Sequence, residues 1–169
     1  VAIMVGTGVG AKNGVLFQSA EALENLHNVT SAIMDKTGTV TEGRPVVTDV
    51  QTWGVETEEL LSLALSLEKR SDHPRADAIV RYALEKGAKE RSVTDFEMVE
   101  GQGIRAVVDG VPCMAGNQRM LLANGLALSR SMQELGEKLA DAGKTPLFFA
   151  ANRQVVGTLS LIHISEPTR

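Results

Sequence analysis

Cysteine and aromatic residues are scarce in this sequence of 169 residues. It has one cysteine, Cys113, and aromatic side chains make up 4% of the chain. A single cysteine excludes a disulfide framework within the chain and a zinc site built from cysteine pairs. So few aromatic residues also argue against the stacking surfaces that bind single-stranded nucleic acid.

Positive charge and long apolar runs are scarce as well. The formal net charge is −4, so a basic surface for nucleic acid is not expected. The N-terminal run VAIMV is interrupted at Gly6 and falls far short of the ~20 apolar residues that span a membrane. The remaining composition, with 43% hydrophobic and 22% charged residues, is typical of a globular protein.

Helical and strand patterns are grouped along the chain rather than alternating. Helical spacing or capping signals predict helices over 15–27, 55–72, 74–87, 117–125 and 129–143. Strands are predicted over 30–34, 45–53, 95–100, 104–110, 111–116, 145–151 and 154–161, with hairpin turns at Asp109–Gly110 and Asn152–Arg153. This order predicts an α+β fold in which an antiparallel sheet is flanked by two helical hairpins.

The stretch AIMDKTGTVTEGRP, residues 32–45, places a lone carboxylate after a short apolar strand. At this position Asp35 can be a metal ligand, a general base or a nucleophile. The next residues favour the nucleophile, because Lys36 can neutralise phosphate charge, Thr37 offers a hydroxyl and Gly38 lets the backbone approach a phosphate. Phosphoryl transfer requires mainly positioning and charge neutralisation. The stretch therefore indicates phosphoryl transfer to Asp35.

The run DKTGT followed by VTEG resembles the phosphorylation loop of P-type ATPases, the ion pumps that form an aspartyl phosphate. The resemblance implies catalytic roles for Asp35, Lys36 and Thr37, with Asp35 and Thr37 as part of an incomplete Mg²⁺ site. Haloacid-dehalogenase-like phosphatases carry a second acid two residues after the nucleophile, and here that position is Thr37. A threonine is no acid or base near neutral pH, so the aspartyl phosphate is expected to persist.

Three further blocks resemble the nucleotide-binding domain of heavy-metal P-type ATPases: SDHPRADAI (71–79), EGQGIRAVVDG (100–110) and AGNQRML (115–121). Within the first block, Asp72 replaces the usual glutamate and Arg75 replaces an apolar residue. The resemblance implies that ATP is bound by Glu68, His73, Gly101, Gly103, Ile104, Gly116 and Asn117. A carboxylate can accept hydrogen bonds from the adenine amino group, and glycines permit close approach to a ligand.

The resemblance also implies a division of the chain. It gives a membrane-proximal stalk helix (1–28), the first strand and loop of a truncated haloacid-dehalogenase-like phosphorylation domain (29–45), a nucleotide-binding domain (46–157) and a return strand (158–161). The N-terminal wording is similar to copper(I) pumps, so Cu⁺ is the expected transported ion. The parent protein is expected in a membrane, with this segment on the cytoplasmic side and the transmembrane and actuator domains outside it.

Residues 162–169, IHISEPTR, depart from the family pattern. They resemble translated sequencing-adapter read-through, which suggests an assembly artefact. The later loops that complete the Mg²⁺ site are also expected to lie outside this segment. The isolated chain is therefore predicted to bind ATP weakly and not to phosphorylate itself.

Two other functions stay open on the sequence. One is a haloacid-dehalogenase-like phosphatase with the middle segment as its cap, against which Thr37 counts. The other is a non-catalytic nucleotide-binding module. The sequence leaves the direction of transport and the oligomeric state undecided.

Overall fold

The chain divides into two compact units, Val1–Val40 and Thr41–Arg169. The structure, a computed structural model, describes residues 2–33 and 44–164. Asp35, Lys36 and Thr37, and with them the predicted Mg²⁺ ligands, lie outside the described residues.

The described residues of the first unit form two helices, where a single stalk helix was predicted. These are α1 (Ala2–Lys12) and α2 (Ala20–Leu26). The predicted helix over 15–27 begins only at Ala20, because the Ser19 side chain accepts a hydrogen bond from the Ala22 N–H and caps the helix there. The predicted strand over 30–34 is wrong for residues 30–33, which form no strand. Across the described ranges, no helix has the length and apolar character to cross a bilayer.

The second unit is built on a six-stranded sheet in which every neighbouring pair is antiparallel, as predicted. Its strands are β1 (Arg44–Thr52), β2 (Val93–Val99), β3 (Gly103–Val108), β4 (Val111–Gly116), β5 (Thr145–Ala151) and β6 (Gln154–Ile164). They lie in the order β1-β6-β5-β4-β3-β2.

Both predicted hairpin turns are confirmed. Asp109 and Gly110 have φ angles of 50° and 79°, and Asn152 and Arg153 have φ angles of 48° and 61°. Positive φ at both central residues matches the right-handed twist of antiparallel strands. These turns join β3 to β4 and β5 to β6.

The predicted helices are present with shorter bounds: α3 (Thr57–Glu68), α4 (Pro74–Glu85), α5 (Gln118–Ala123) and α6 (Arg130–Asp141). The N-cap position of α3 is occupied by Glu56, whose side chain makes no capping hydrogen bond. Helix α3 ends at Glu68, and α4 begins at Pro74. The missing N–H of proline costs no helical hydrogen bond at this first position.

The helical hairpins cover opposite faces of the sheet. Alternate residues of β5 show this arrangement, since Leu147 and Phe149 pack with α3 and α4 whereas Phe148 and Ala150 pack beside α5 and α6. Phe149 is fully buried. Because side chains alternate between the two faces of a strand, successive residues of β5 belong to two different cores.

Strand β6 continues without a break beyond the predicted return strand. Its last residues, Ile162, His163 and Ile164, pair with Val46, Pro45 and Arg44 of β1. The first three residues of the segment 162–169 are therefore part of the sheet, and residues 165–169 lie outside the described residues.

Candidate nucleotide-binding site

A cleft of about 330 Å³ opens at one end of the sheet. The end of β2 and the start of β3 meet there, because Val99 pairs with Gly103, and the end of β4 joins them through the pair Gly103–Gly116. The start of α4 contributes the opposite wall. The lining residues are Ser71, His73, Arg75, Met98, Val99, Glu100, Gly101, Gln102, Gly103 and Ile104.

His73 is the N-cap residue of α4 and lines the cleft. Its Nδ1 accepts a hydrogen bond of 3.2 Å from the Arg75 N–H, which leaves the ring proton on Nε2. Partial burial lowers the pKa of His73, and the nearby charges of Arg75 and His163 lower it further. The imidazole is therefore neutral at physiological pH and offers one N–H donor.

Gly101 forms the open part of the turn between β2 and β3. Its φ of +66° lies in the left-handed region, and a Cβ added there would meet no atom within 4 Å. The backbone at Gly101 is therefore accessible to a ligand, and its conformation favours glycine.

Glycine is required at positions 103 and 116 because neighbouring atoms pack closely there, unlike the open surroundings of Gly101. A Cβ on Gly103 would lie 2.1 Å from the Ala115 carbonyl oxygen, and one on Gly116 would lie 2.4 Å from the Met120 sulfur. Neither position has room for a side chain. The close contact of β3 with β4 and α5 depends on these two glycines.

Asn117 holds the glycine turn from behind. It caps α5 by accepting a hydrogen bond from the Met120 N–H at 3.0 Å, and its side-chain amide donates to the Gly101 carbonyl at 3.0 Å. Its backbone N–H donates to the Gln102 carbonyl at 3.0 Å. Asn117 therefore fixes the turn but is not among the cleft-lining residues.

Glu68 is the last residue of α3 and is only 2% exposed. Burial raises the pKa of its carboxyl group to about 7, against which the positive charge of Arg75 acts. Its Oε2 is buried and has no hydrogen-bond partner in the described part of the chain. Near neutral pH, this carboxyl group therefore exists in both protonation states.

The structure thus brings His73, Gly101, Gly103 and Ile104 to one cleft. Ile104 is 3% exposed and belongs mainly to the core. Glu68, Gly116 and Asn117 are not lining residues.

Six further residues line the cleft that were not predicted as site residues: Ser71, Arg75, Met98, Val99, Glu100 and Gln102. Ser71 accepts a hydrogen bond from the His73 N–H at 3.2 Å, and Arg75 was noted only as a departure from the family pattern. A charged residue at an otherwise apolar position was the signal that could have identified Arg75.

Metal ligands are not clustered in the described residues, where no group of three or more His, Cys, Asp or Glu side chains could hold an ion. The predicted Mg²⁺ ligands Asp35 and Thr37 lie outside them.

Comparison with known families identifies the class of protein. Residues 29–166 match the family model described as "Hydrolase: haloacid dehalogenase-like hydrolase". Because the match covers most of the chain, this chain belongs to the haloacid dehalogenase-like hydrolase family.

Proteins and solved structures similar to this chain include several P-type ATPases. The chain is 45% identical to a probable copper-importing P-type ATPase A of Enterococcus hirae, over 95% of this chain and 21% of the relative. It resembles the crystal structure of a zinc-transporting PIB-type ATPase in its E2.Pi state with 31% identity and a TM-score of 0.67, over 98% of this chain and 26% of that one. The N-domain of HMA8, a copper-transporting P-type ATPase, is matched at 25% identity and a TM-score of 0.57, over 71% of this chain and 99% of that one.

The resemblance to copper-type P-type ATPases that the sequence indicated is confirmed by these matches, as is the α+β fold. The chain spans about a fifth of the length of the curated relatives it matches, at 19% to 22% of their residues.

Proposed function

We propose that this chain is the ATP-binding and phosphate-accepting part of an ATP-driven heavy-metal pump, with Cu⁺ as the transported ion. The observation that carries the proposal is the cleft itself. The cleft brings together the neutral His73 and the open turn at Gly101. Arg75 also lines the cleft, and its positive charge acts on the buried carboxyl group of Glu68. The names of the copper-transporting relatives support the metal.

In this proposal ATP occupies the cleft with its adenine towards Glu68. The free Oε2 of Glu68 accepts a hydrogen bond from the adenine amino group. His73 donates from Nε2, and the backbone at Gly101 allows close approach of the nucleotide. Asn117 contributes indirectly, because it fixes the carbonyl of Gly101.

The phosphoryl transfer assigned to this chain uses the DKTGT run. A carboxylate oxygen of Asp35 attacks the γ-phosphorus in line, the bond to the bridging oxygen breaks, and ADP leaves with that oxygen. Lys36 neutralises the developing charge. Bound Mg²⁺ would supply further charge neutralisation, held by oxygens of Asp35 and Thr37. Because Thr37 provides no second acid, the aspartyl phosphate persists long enough to be coupled to transport.

The whole pump extends beyond this chain in the proposal. Its membrane domain carries the metal ion, its actuator domain assists dephosphorylation, and the present segment faces the cytoplasm. The relatives' greater length is consistent with this division, because the chain matches 21% of the Enterococcus hirae protein.

Equilibrium binding of ATP tests the site. We expect His73→Ala and Gly101→Val each to weaken ATP binding about tenfold, since loss of one good polar contact or of close approach costs about 1.4 kcal/mol. His27→Ala, a histidine of the first unit, is the matched control and should bind like the wild type. Titration calorimetry measures all four proteins. Equal ATP affinity in the wild type and both site variants would contradict the proposal, as would the absence of binding to the wild type.

A phosphatase is the second candidate, favoured by the hydrolase family match over residues 29–166. It requires hydrolysis of the aspartyl phosphate, for which Thr37 is unsuited. Steady turnover of p-nitrophenyl phosphate that is abolished by Asp35→Asn would favour the phosphatase over the pump.

A further inference from the structure

Two buried polar atoms without a hydrogen-bond partner lie beside the candidate cleft. They are Glu68 Oε2, which accepts, and Arg75 Nε, which donates; the third such atom among the described residues, Arg105 Nε, belongs to a residue that does not line this cleft. Arg75 lines the cleft, and its charge acts on the carboxyl group of Glu68. A buried donor and a buried acceptor left unpaired are unfavourable, so each requires a partner, and a ligand in the cleft can supply both.

An adenine edge has the required chemistry. The amino group on C6 donates hydrogen bonds, and the ring nitrogens on either side of it, N1 and N7, accept them. A phosphate group offers only acceptors and would leave Oε2 of the ionised Glu68 unpaired. The two unpartnered atoms therefore fit a base better than a phosphate.

We propose that Arg75 is a base-reading residue, which donates a guanidinium hydrogen bond to a ring nitrogen of adenine while Glu68 accepts from the amino group. This inference rests on the proposed ATP site and adds a specificity determinant to it. Arg75 stands at a position where the resembling block carries an apolar residue, so the contact is a property of this chain.

The surroundings of Arg75 support the assignment. Its own backbone N–H donates to His73 Nδ1, so the residue is fixed at the first turn of α4 beside the imidazole. Its positive charge opposes the rise in the pKa of Glu68 that burial causes. Arg75 thereby favours the ionised carboxylate, which is the better acceptor for an amino group.

Binding of nucleotide analogues to the unmodified chain provides the first test. ATP, 1-deaza-ATP and 7-deaza-ATP are titrated, because each deaza analogue lacks one ring-nitrogen acceptor. We expect one of the two analogues to bind about tenfold more weakly than ATP, as the loss of one charge-assisted hydrogen bond predicts. Equal affinity for all three nucleotides would overturn the inference without any question of misfolding.

Substitution of Arg75 provides the second test. Arg75→Leu should weaken ATP and adenosine by the same factor, about tenfold, and should abolish discrimination against the sensitive deaza analogue. Arg75→Gln, which keeps a side-chain N–H, should retain part of that discrimination. Arg81→Leu removes an exposed arginine from the same helix and is the matched control.

The outcomes separate this inference from the proposed function. If Arg75→Leu weakens ATP but not adenosine, Arg75 contacts phosphate and the base-reading role is wrong. If His73→Ala weakens ATP and Arg75→Leu does not, the site stands and the role of Arg75 is wrong. If the wild type binds no ATP, the proposed function itself fails, and this inference with it.

Discussion

Glu68 is the residue whose ionisation is altered most by its environment. A glutamate at the end of a helix is ordinarily exposed and ionised, but this one is 2% exposed and its pKa is raised from 4.5 to about 7. Desolvation is the main cause, because burial disfavours the charged form. Carboxyl groups with a pKa raised in this way are concentrated at functional sites.

This burial predicts how stability depends on pH. The folded state holds the Glu68 proton more tightly than the unfolded state does, so its stabilising effect is complete below pH 4.5 and is lost as pH rises through about 7. We expect Glu68→Gln, which carries no titrating group, to be more stable than the wild type by up to about 3 kcal/mol at pH 8 and by less than about 1 kcal/mol at pH 5.

Urea denaturation of both proteins without nucleotide, at pH 5 and pH 8, measures this difference. Glu58→Gln alters an exposed glutamate in the first turn of the same helix and serves as control. A stability difference between wild type and Glu68→Gln that stays constant from pH 5 to pH 8 would show that Glu68 is not desolvated.

The pairing of β1 with β6 depends on a polar cluster at an irregular point of the ladder. The register shifts between Val47 and Asp49, and the Asp49 carboxylate there accepts hydrogen bonds from Lys144 at 2.6 Å, from Thr48 at 2.7 Å and from Ser160. These bonds, with Lys144 the largest contributor, lower the pKa of Asp49 from 3.8 to about 2. The cluster joins β1 and β6 to the start of β5.

Removal of the Asp49 charge should weaken this junction. We expect Asp49→Asn to lower the free energy of unfolding at pH 7 by about 1 kcal/mol, because the side chain is 43% exposed and solvent screens the ion pair. The stabilisation is present above pH 3.8 and is lost as pH falls through about 2. Chemical denaturation at pH 7 and pH 2 measures it, with Asp141→Asn at an exposed position of α6 as control. No loss at pH 7 would show that the cluster is energetically neutral.

The whole molecule consists of two units, and the cleft belongs entirely to the second, Thr41–Arg169. We therefore expect a protein of residues 41–169 to bind ATP within about twofold of the full chain, since all lining residues and both cores are retained. Titration calorimetry, with thermal unfolding as a check of folding, makes the comparison. An affinity loss of tenfold or more in a folded 41–169 protein would place part of the site in the first unit.

Prediction from sequence was most successful where the signal is local. The turn at Asp109–Gly110 follows from the ease with which these residues adopt positive φ, and its neighbours in the chain suffice to specify it. It was less successful for the predicted stalk helix (1–28), which is divided into α1 and α2. Helix α1 runs through Gly6 and Gly10, at which an added Cβ would lie 3.0 Å from Leu23 and 2.8 Å from Phe17. Side-chain contact with the helix thus compensates for poor helical propensity.

The candidate site was predicted only in part, since His73, Gly101, Gly103 and Ile104 line the cleft whereas Glu68, Gly116 and Asn117 do not. Motif resemblance named Gly103 and Gly116 as nucleotide contacts, whereas their positions show a packing constraint between strands. The assigned catalytic roles of Asp35, Lys36 and Thr37 remain predictions. The role proposed for Arg75 depends on the burial of its Nε and on its position in the cleft lining, neither of which its place in the sequence specifies.

The amino-acid sequence by itself determined the chemistry of short segments: the DKTGT run, the helix periods, the hairpin turns and the resemblance to P-type ATPases. Only the tertiary structure decided that the end of α3, the start of α4 and the turn before β3 meet at one end of the sheet. Strand register sets that meeting, and register depends on pairing between residues far apart in the chain. This arrangement of the elements buries Glu68 and partly buries His73, and burial is the main cause of their altered pKa values.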